Sequence, residues 1–223
     1  MDVNLYPSIT TTNAEISQIQ LKQLSKLNLE ECCLFITGLN YPDERIKFLN
    51  FVKKQLPKIY IPFCHIRIDS TVQELEFLIN NFGTEYFNIH GNHASEFKNL
   101  EIYKYRDMIL AENSKTLNEE QMYEGDFAGI CLDLSHKTED ILNKRDWAED
   151  LQKTIDNYPI IANHISSVRK NGDHYHAEHI LNYKSDMDYL KEIDLKYFGK
   201  YCALELENSI EKQLNIIEYI RSL

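Results

Sequence analysis

With 223 residues, 43% apolar and 26% charged, the chain is long enough for one sizeable core, and a single domain over residues 1–223 is expected. Its net charge of −11 excludes a surface built throughout as a nucleic-acid footprint, which needs clustered Lys and Arg, but leaves room for a small basic patch. No apolar stretch approaches the roughly 18 residues of a membrane span, and MDVNLYPS lacks the basic and apolar regions of a secretory leader. The five cysteines, Cys32, Cys33, Cys64, Cys131 and Cys202, are odd in number, form no CxxC pair and sit in or beside apolar runs. They read as buried thiols of a reducing compartment, so a cytoplasmic protein is expected.

In chain order the strand-like runs are NLYPSI (4–9), CCLFITG (32–38), IPFCHIRI (61–68), YFNIHG (86–91), DMILAE (107–112), FAGICLDL (127–134), PIIANHIS (159–166) and CALELE (202–207). Amphipathic segments lie between them. Ile46, Leu49, Val52 and Leu56 recur at spacings of three and four within 43–56. Ser70 can cap a helix carrying Val72, Leu75, Leu78 and Phe82, which Gly83 stops. Residues 139–157, 186–198 and 209–222 read as helices, whereas 113–126 has room for a turn or two only. Eight strand–helix repeats without a long linker predict an α/β fold, a single (β/α)8 barrel with short loops. No GxGxxG or P-loop pattern occurs.

The strand ends carry the chemistry. His65, His90, Glu112, Asp133, His164 and Glu207 each end, or nearly end, an apolar run, and in a parallel barrel such positions converge at the C-terminal mouth. Glu112, Asp133, His164 and Glu207 fall on four neighbouring staves. Three carboxylates and an imidazole suit Mn, Mg, Co or Zn better than a soft metal, and the carboxylates need a counter-charge. Glu205 and Glu207 share one strand face by period-two alternation. Beyond this core, His136 follows Asp133 by three residues. The polar loop SSVRKNGDHYHAEH contains Arg169, Asp173, His174, His176 and His179. It is expected to be a lid, a second metal site or a substrate clamp, with Arg169 and Lys170 available for a phosphate or carboxylate.

The motifs FNIHGNH (87–93), ILAEN (109–113), GICLDLSH (129–136), ANHISS (162–167) and LELEN (204–208), in this order, resemble the xylose isomerase-like TIM-barrel superfamily over residues 61–208. That superfamily holds sugar isomerases and epimerases together with endonuclease IV, of the AP endonuclease family 2. The resemblance implies a shared metal site on Glu112, Asp133, His164 and Glu207. For an epimerase-type member it implies that Glu112 and Glu207 are also the acid/base pair, passing a proton through an enediolate, with His136 on the substrate. For a nuclease-type member it implies three zinc ions. His65, His90 and Glu112 would hold the first, the four shared ligands the second, and His136, Asp173 and His174 or His176 the third. The family's Asp-x-His is DHYH here, and the glycine-rich turn after it is absent.

The first expectation is therefore a divalent-metal-dependent isomerase or epimerase of a sugar, sugar acid or sugar phosphate, as a monomer or homodimer with a small carbohydrate as its partner. The alternatives are a zinc phosphodiesterase acting on abasic DNA and a non-catalytic metal-binding barrel.

Overall fold

The computed structural model describes residues 3–114 and 116–223. Met1 and Asp2 of the MDVNLYPS segment, and Lys115 of the 113–126 connection, lie outside them. Nine parallel strands form one sheet: β1 (Leu5–Tyr6), β2 (Ser8–Thr10), β3 (Cys33–Phe35), β4 (Phe63–His65), β5 (Tyr86–His90), β6 (Ile109–Glu112), β7 (Ile130–Asp133), β8 (Ile160–Ile165) and β11 (Tyr201–Leu204). A separate antiparallel hairpin, β9 (Ser167–Asn171) and β10 (His174–Glu178), follows β8. Helices α1 (Ala14–Lys26), α2 (Pro42–Gln55), α3 (Val72–Phe82), α4 (Ala94–Phe97), α5 (Glu119–Gly125), α6 (Leu134–Leu142), α7 (Ala148–Asn157) and α8 (Ile210–Ser222) fill the connections and the C-terminus. This is a TIM-barrel-like α/β fold with eight staves.

Nine strands make eight staves because Pro7 splits the first run. β1 pairs with β11, and β2 pairs with β3. Proline has no N–H to continue a ladder, but its carbonyl still accepts from Cys33 N at 2.9 Å. β2 thus has no strand partner towards β11, and two glutamines close that seam. Gln213 of α8 accepts from Ser8 N at 2.7 Å and donates to the carbonyls of Ser8, Leu206 and Asn208. Gln20 of α1 accepts from Thr10 N at 2.9 Å and donates to Leu206 O and Asn208 O. Both glutamines are fully buried, as backbone satisfaction without a ladder requires.

Two apolar layers hold the fold. One lies between sheet and helices. The other fills the barrel with Cys33, Phe35, Phe63, Leu110, Cys131, Ala162, Tyr201 and Ala203. Every cysteine is a buried free thiol.

Several connections depart from the sequence reading. Thr71, not Ser70, caps α3, in a reciprocal capping box with Glu74, while Gly83 ends it in the left-handed region as expected. The 139–157 run breaks into α6 and α7 across a turn where Lys144 adopts φ 54°. Residues 186–198 form short 3-10 segments rather than an α-helix. The 167–179 loop is the β9–β10 hairpin, turned at Gly172 with φ 60°. Among the described residues no helix is long and apolar enough to cross a membrane.

Candidate metal centre

Period-two alternation explains which side chains reach the mouth. Phe63, Leu110, Cys131, Ala162 and Ala203 point into the barrel, so the residues two further along face the same interior one layer up. Those residues are His65, Glu112, Asp133, His164 and Glu205. Glu112, Asp133, His164 and Glu205 offer ligand atoms that lie within 4.8 Å of one another, and all four residues are buried. His65, His90 and Glu112 form a second such group. The two groups share Glu112.

Glu205, not Glu207, is therefore the fourth member. β11 ends at Leu204, and the chain then turns towards the glutamine seam, where Leu206 O and Asn208 O are held by Gln20 and Gln213. The next period-two position never forms. Glu207 instead donates its amide to His179 O at 2.7 Å, and its carboxylate accepts from Thr12 Oγ1 at 2.6 Å. The available signal was strand length: an inward run of Tyr201 and Ala203 reaches Glu205 first.

The loop candidates do not join the cluster. His176, Asp173 and His174 are exposed on the hairpin. Tyr175 and Ala177 of β10 are pinned to α6 through Asn143 and Glu139. Among the described residues His136, Asp173 and His176 form no ligand group, so a third ion position is not built. His136 stays near the rim, with Nε2 3.9 Å from Asp133 Oδ2 and Nδ1 3.7 Å from Glu139 Oε2. Arg169 is paired with Glu178 within the hairpin. His179, which the sequence did not single out, reaches the site with Nε2 3.8 Å from Glu205 Oε1.

The cluster is polar, buried and incompletely satisfied. Asn88 donates to Glu112 Oε2, and Asp133 Oδ1 caps α6 by accepting from His136 N at 2.9 Å. Asn113 braces the same strand end, accepting from Asp133 N at 2.6 Å and donating to Asp133 O at 3.1 Å. Asp133 Oδ2, His65 Nδ1 and both ring nitrogens of His164 have no hydrogen-bond partner. His164 Nδ1 lies 3.4 Å from Glu112 Oε1 and 3.5 Å from Glu205 Oε2, and its ring rests on Phe35 and Phe63.

Electrostatics sort the ionisable groups. Burial raises the Glu112 carboxyl, but the facing imidazoles of His65, His164 and His90 outweigh it and hold the group well below its usual range. Burial pushes Glu205 up, only partly opposed by His164 and His179. Burial also lowers His65 to about 3, against the pull of Glu112, and lowers His90. His164 goes the other way: burial opposes its charge, but nearby Cys131 and Glu112 hold it well above the ordinary value. Asp133 raises His136. Buried polar groups normally find partners, and orphaned ones call for an explanation such as an ion. Three buried carboxylates beside orphaned imidazole nitrogens are a donor set that fits a divalent cation.

No family model and no curated protein matches the sequence. Solved structures do match. A phospho-2-dehydro-3-deoxyheptonate aldolase from Thermotoga maritima aligns with a TM-score of 0.54 at 9% identity, covering 99% of this chain and 68% of that one. A xylose isomerase domain protein from Planctomyces limnophilus aligns at 0.47 and 10% identity, covering 99% and 96%. An AP endonuclease of family 2 from Brucella melitensis aligns at 0.44 and 11%, covering 97% and 98%. At these identities the likeness is one of fold alone, a TIM-barrel-like α/β fold.

Proposed function

We propose that the chain is a divalent-metal-dependent isomerase or epimerase of a small carbohydrate, with Glu112 and Glu205 as its acid/base pair. The observation that carries this reading is the buried group of Glu112, Asp133, His164 and Glu205, whose ligand atoms lie within 4.8 Å of one another. These four residues would hold the cation. When bound, it supplies Lewis-acid polarisation of substrate oxygens.

The remaining work falls to the chain's own side chains. Glu112 and Glu205 come from staves separated by β7 and β8, so a substrate seated over the barrel axis meets a carboxylate from each. One takes a proton from carbon and the other returns it. Burial keeps bulk water from competing for that proton. His136, half-buried on the first turn of α6, is placed to contact substrate at the rim. His179 lies against Glu205 and orients it.

One observation favours a second reading. His65 and His90 form a further ligand group through the shared Glu112, and two ions bridged by a carboxylate are an arrangement used in phosphodiester hydrolysis. Elemental analysis of the purified protein separates the two. One equivalent of Mn, Mg, Co or Zn, with turnover on a sugar panel, supports the isomerase. Two equivalents of Zn that fall to one in His65→Ala/His90→Ala, with cleavage of abasic-site DNA, support the hydrolase. Failure to retain any metal above pH 7 would sink both. Bound metal without turnover on either substrate class would leave a non-catalytic metal-binding barrel.

A further inference from the structure

The mouth has a second feature that the ligand cluster does not use. A cleft of about 200 Å³ opens beside His65 and His90, and its wall includes Thr37, Arg67 and His93. Among the described residues no carboxylate lines it, although the chain carries a net charge of −11 and buries three carboxylates a few ångströms away. A row of imidazoles leads into it from the cluster. His164 stacks on His65 with centroids 5.1 Å apart, His65 meets His90 at 5.2 Å, and His90 stacks on His93 at 6.3 Å.

Arg67 is held as a fixed donor. Its Nε donates to Asp69 Oδ1 at 2.9 Å and its Nη1 to Thr37 O at 3.0 Å. Its backbone closes a tight turn, with N donating to Ser70 Oγ and O accepting from Ser70 N. Asp69 is shared with Arg45, 3.5 Å away, and the buried Arg45 is itself paired with Glu74. Nη2 of Arg67 has no partner among the described residues. His93 uses Nδ1 towards Glu96, at 3.4 Å. A guanidinium fixed on two sides with N–H groups to spare, next to imidazole donors, has the chemistry of an oxyanion receptor.

We infer that this cleft is the subsite for an anionic group of the substrate, a phosphoryl or carboxylate group, and that Arg67 determines that specificity. The inference builds on the metal-dependent reading, because it places the anion beside the atoms that react. It narrows the substrate to a sugar phosphate or sugar acid. Arg169, the residue the sequence offered for this task, is committed to Glu178.

The test uses the full chain with inorganic phosphate and acetate as probes, following the ring protons of His90 and His93 by NMR. It is run on protein as purified, after chelator treatment, and after reloading with zinc. The expected result is saturable shifts with at least one anion in the metal-free protein. Arg67→Gln should weaken that binding about tenfold or more, Arg67→Lys should keep part of it, and metal uptake should be unchanged in both. Whichever anion binds more tightly identifies the group. No saturable binding of either anion, or undiminished binding in Arg67→Gln, overturns the inference. Binding that requires zinc and ignores Arg67 also overturns it, placing the anion on the ion and leaving the metal-dependent reading intact. Anion binding through Arg67 in a chain that takes up no metal keeps the cleft and removes the metal-dependent reading.

Discussion

The two ends of the barrel treat carboxylates in opposite ways. At the N-terminal floor Glu85 accepts from Tyr60 and Tyr201 and pairs with Lys200 at 2.9 Å, so its carboxylate is satisfied by three donors. At the mouth Glu112, Asp133 and Glu205 crowd around His164, and Asp133 Oδ2 and both His164 ring nitrogens lack hydrogen-bond partners. The floor is arranged as a stabilising network. The mouth leaves ligand-type atoms without hydrogen-bond partners, which is where the proposed function places the cation. Strand starts and strand ends of one barrel thus separate stability from function.

Substitutions at the two ends should diverge accordingly. The largest effect is expected for Glu205→Gln. Losing groups that merely orient a ligand already costs metal affinity about 10–100-fold, so loss of a ligand carboxylate should cost at least about 100-fold by metal titration. The same change should leave the melting temperature of metal-free protein unchanged or higher, because one of three crowded carboxylates is gone. Glu207→Gln, outside the cluster, should retain full metal stoichiometry, and loss of metal there would return the ligand role to that residue.

Gln213→Leu tests the link between fold and site. It leaves the amide and carbonyl of Ser8 without their buried side-chain partner, while Gln20 still holds Leu206 O and Asn208 O, at a cost of about 2 kcal/mol in denaturant unfolding. It should also weaken metal binding, since the segment that sets Glu205 hangs from Gln213. Unchanged metal affinity at reduced stability would show that the seam does not position the site.

At the floor Tyr201→Phe should cost about 1 kcal/mol, a hydrogen bond to a carboxylate discounted for solvent screening, with metal affinity unchanged. The smallest effect is a pH dependence. Hydrogen bonds from Tyr201 and Tyr60, with Lys200, lower the Glu85 carboxyl from 4.5 to about 2. A group lowered on folding stabilises above its unfolded value and loses that contribution as pH falls. Glu85→Gln should therefore flatten the loss of stability between about pH 4.5 and pH 2 while changing little at its lower edge. An unaltered acid limb would remove Glu85 from the network.

Much of the site was legible because a parallel barrel converts strand ends into neighbours. His65, His90, Glu112, Asp133 and His164 each close a run whose apolar residues pack the sheet, and all five are found at the mouth. Their convergence follows from the period of two and from burial, both local properties. The helices with a full apolar stripe, α2, α3 and α8, were readable for the same reason. α1 was less distinct because two of its four buried residues, Ser17 and Gln20, are polar.

What the sequence determined by itself was the order of the eight staves and which residue types stand at each strand end, since alternation and apolar spacing are written residue by residue. Tertiary structure alone decided three things. It chose Glu205 over Glu207, because the strand stops where the glutamine seam captures the chain. It placed His174 and His176 in solvent, because the hairpin is pinned to α6. It brought Arg67 to the cleft while committing Arg169 elsewhere. The first two depend on hydrogen bonds between residues far apart in the chain, and the third on the Arg67–Thr37 bond and on the hairpin pairing that sets Arg169 against Glu178.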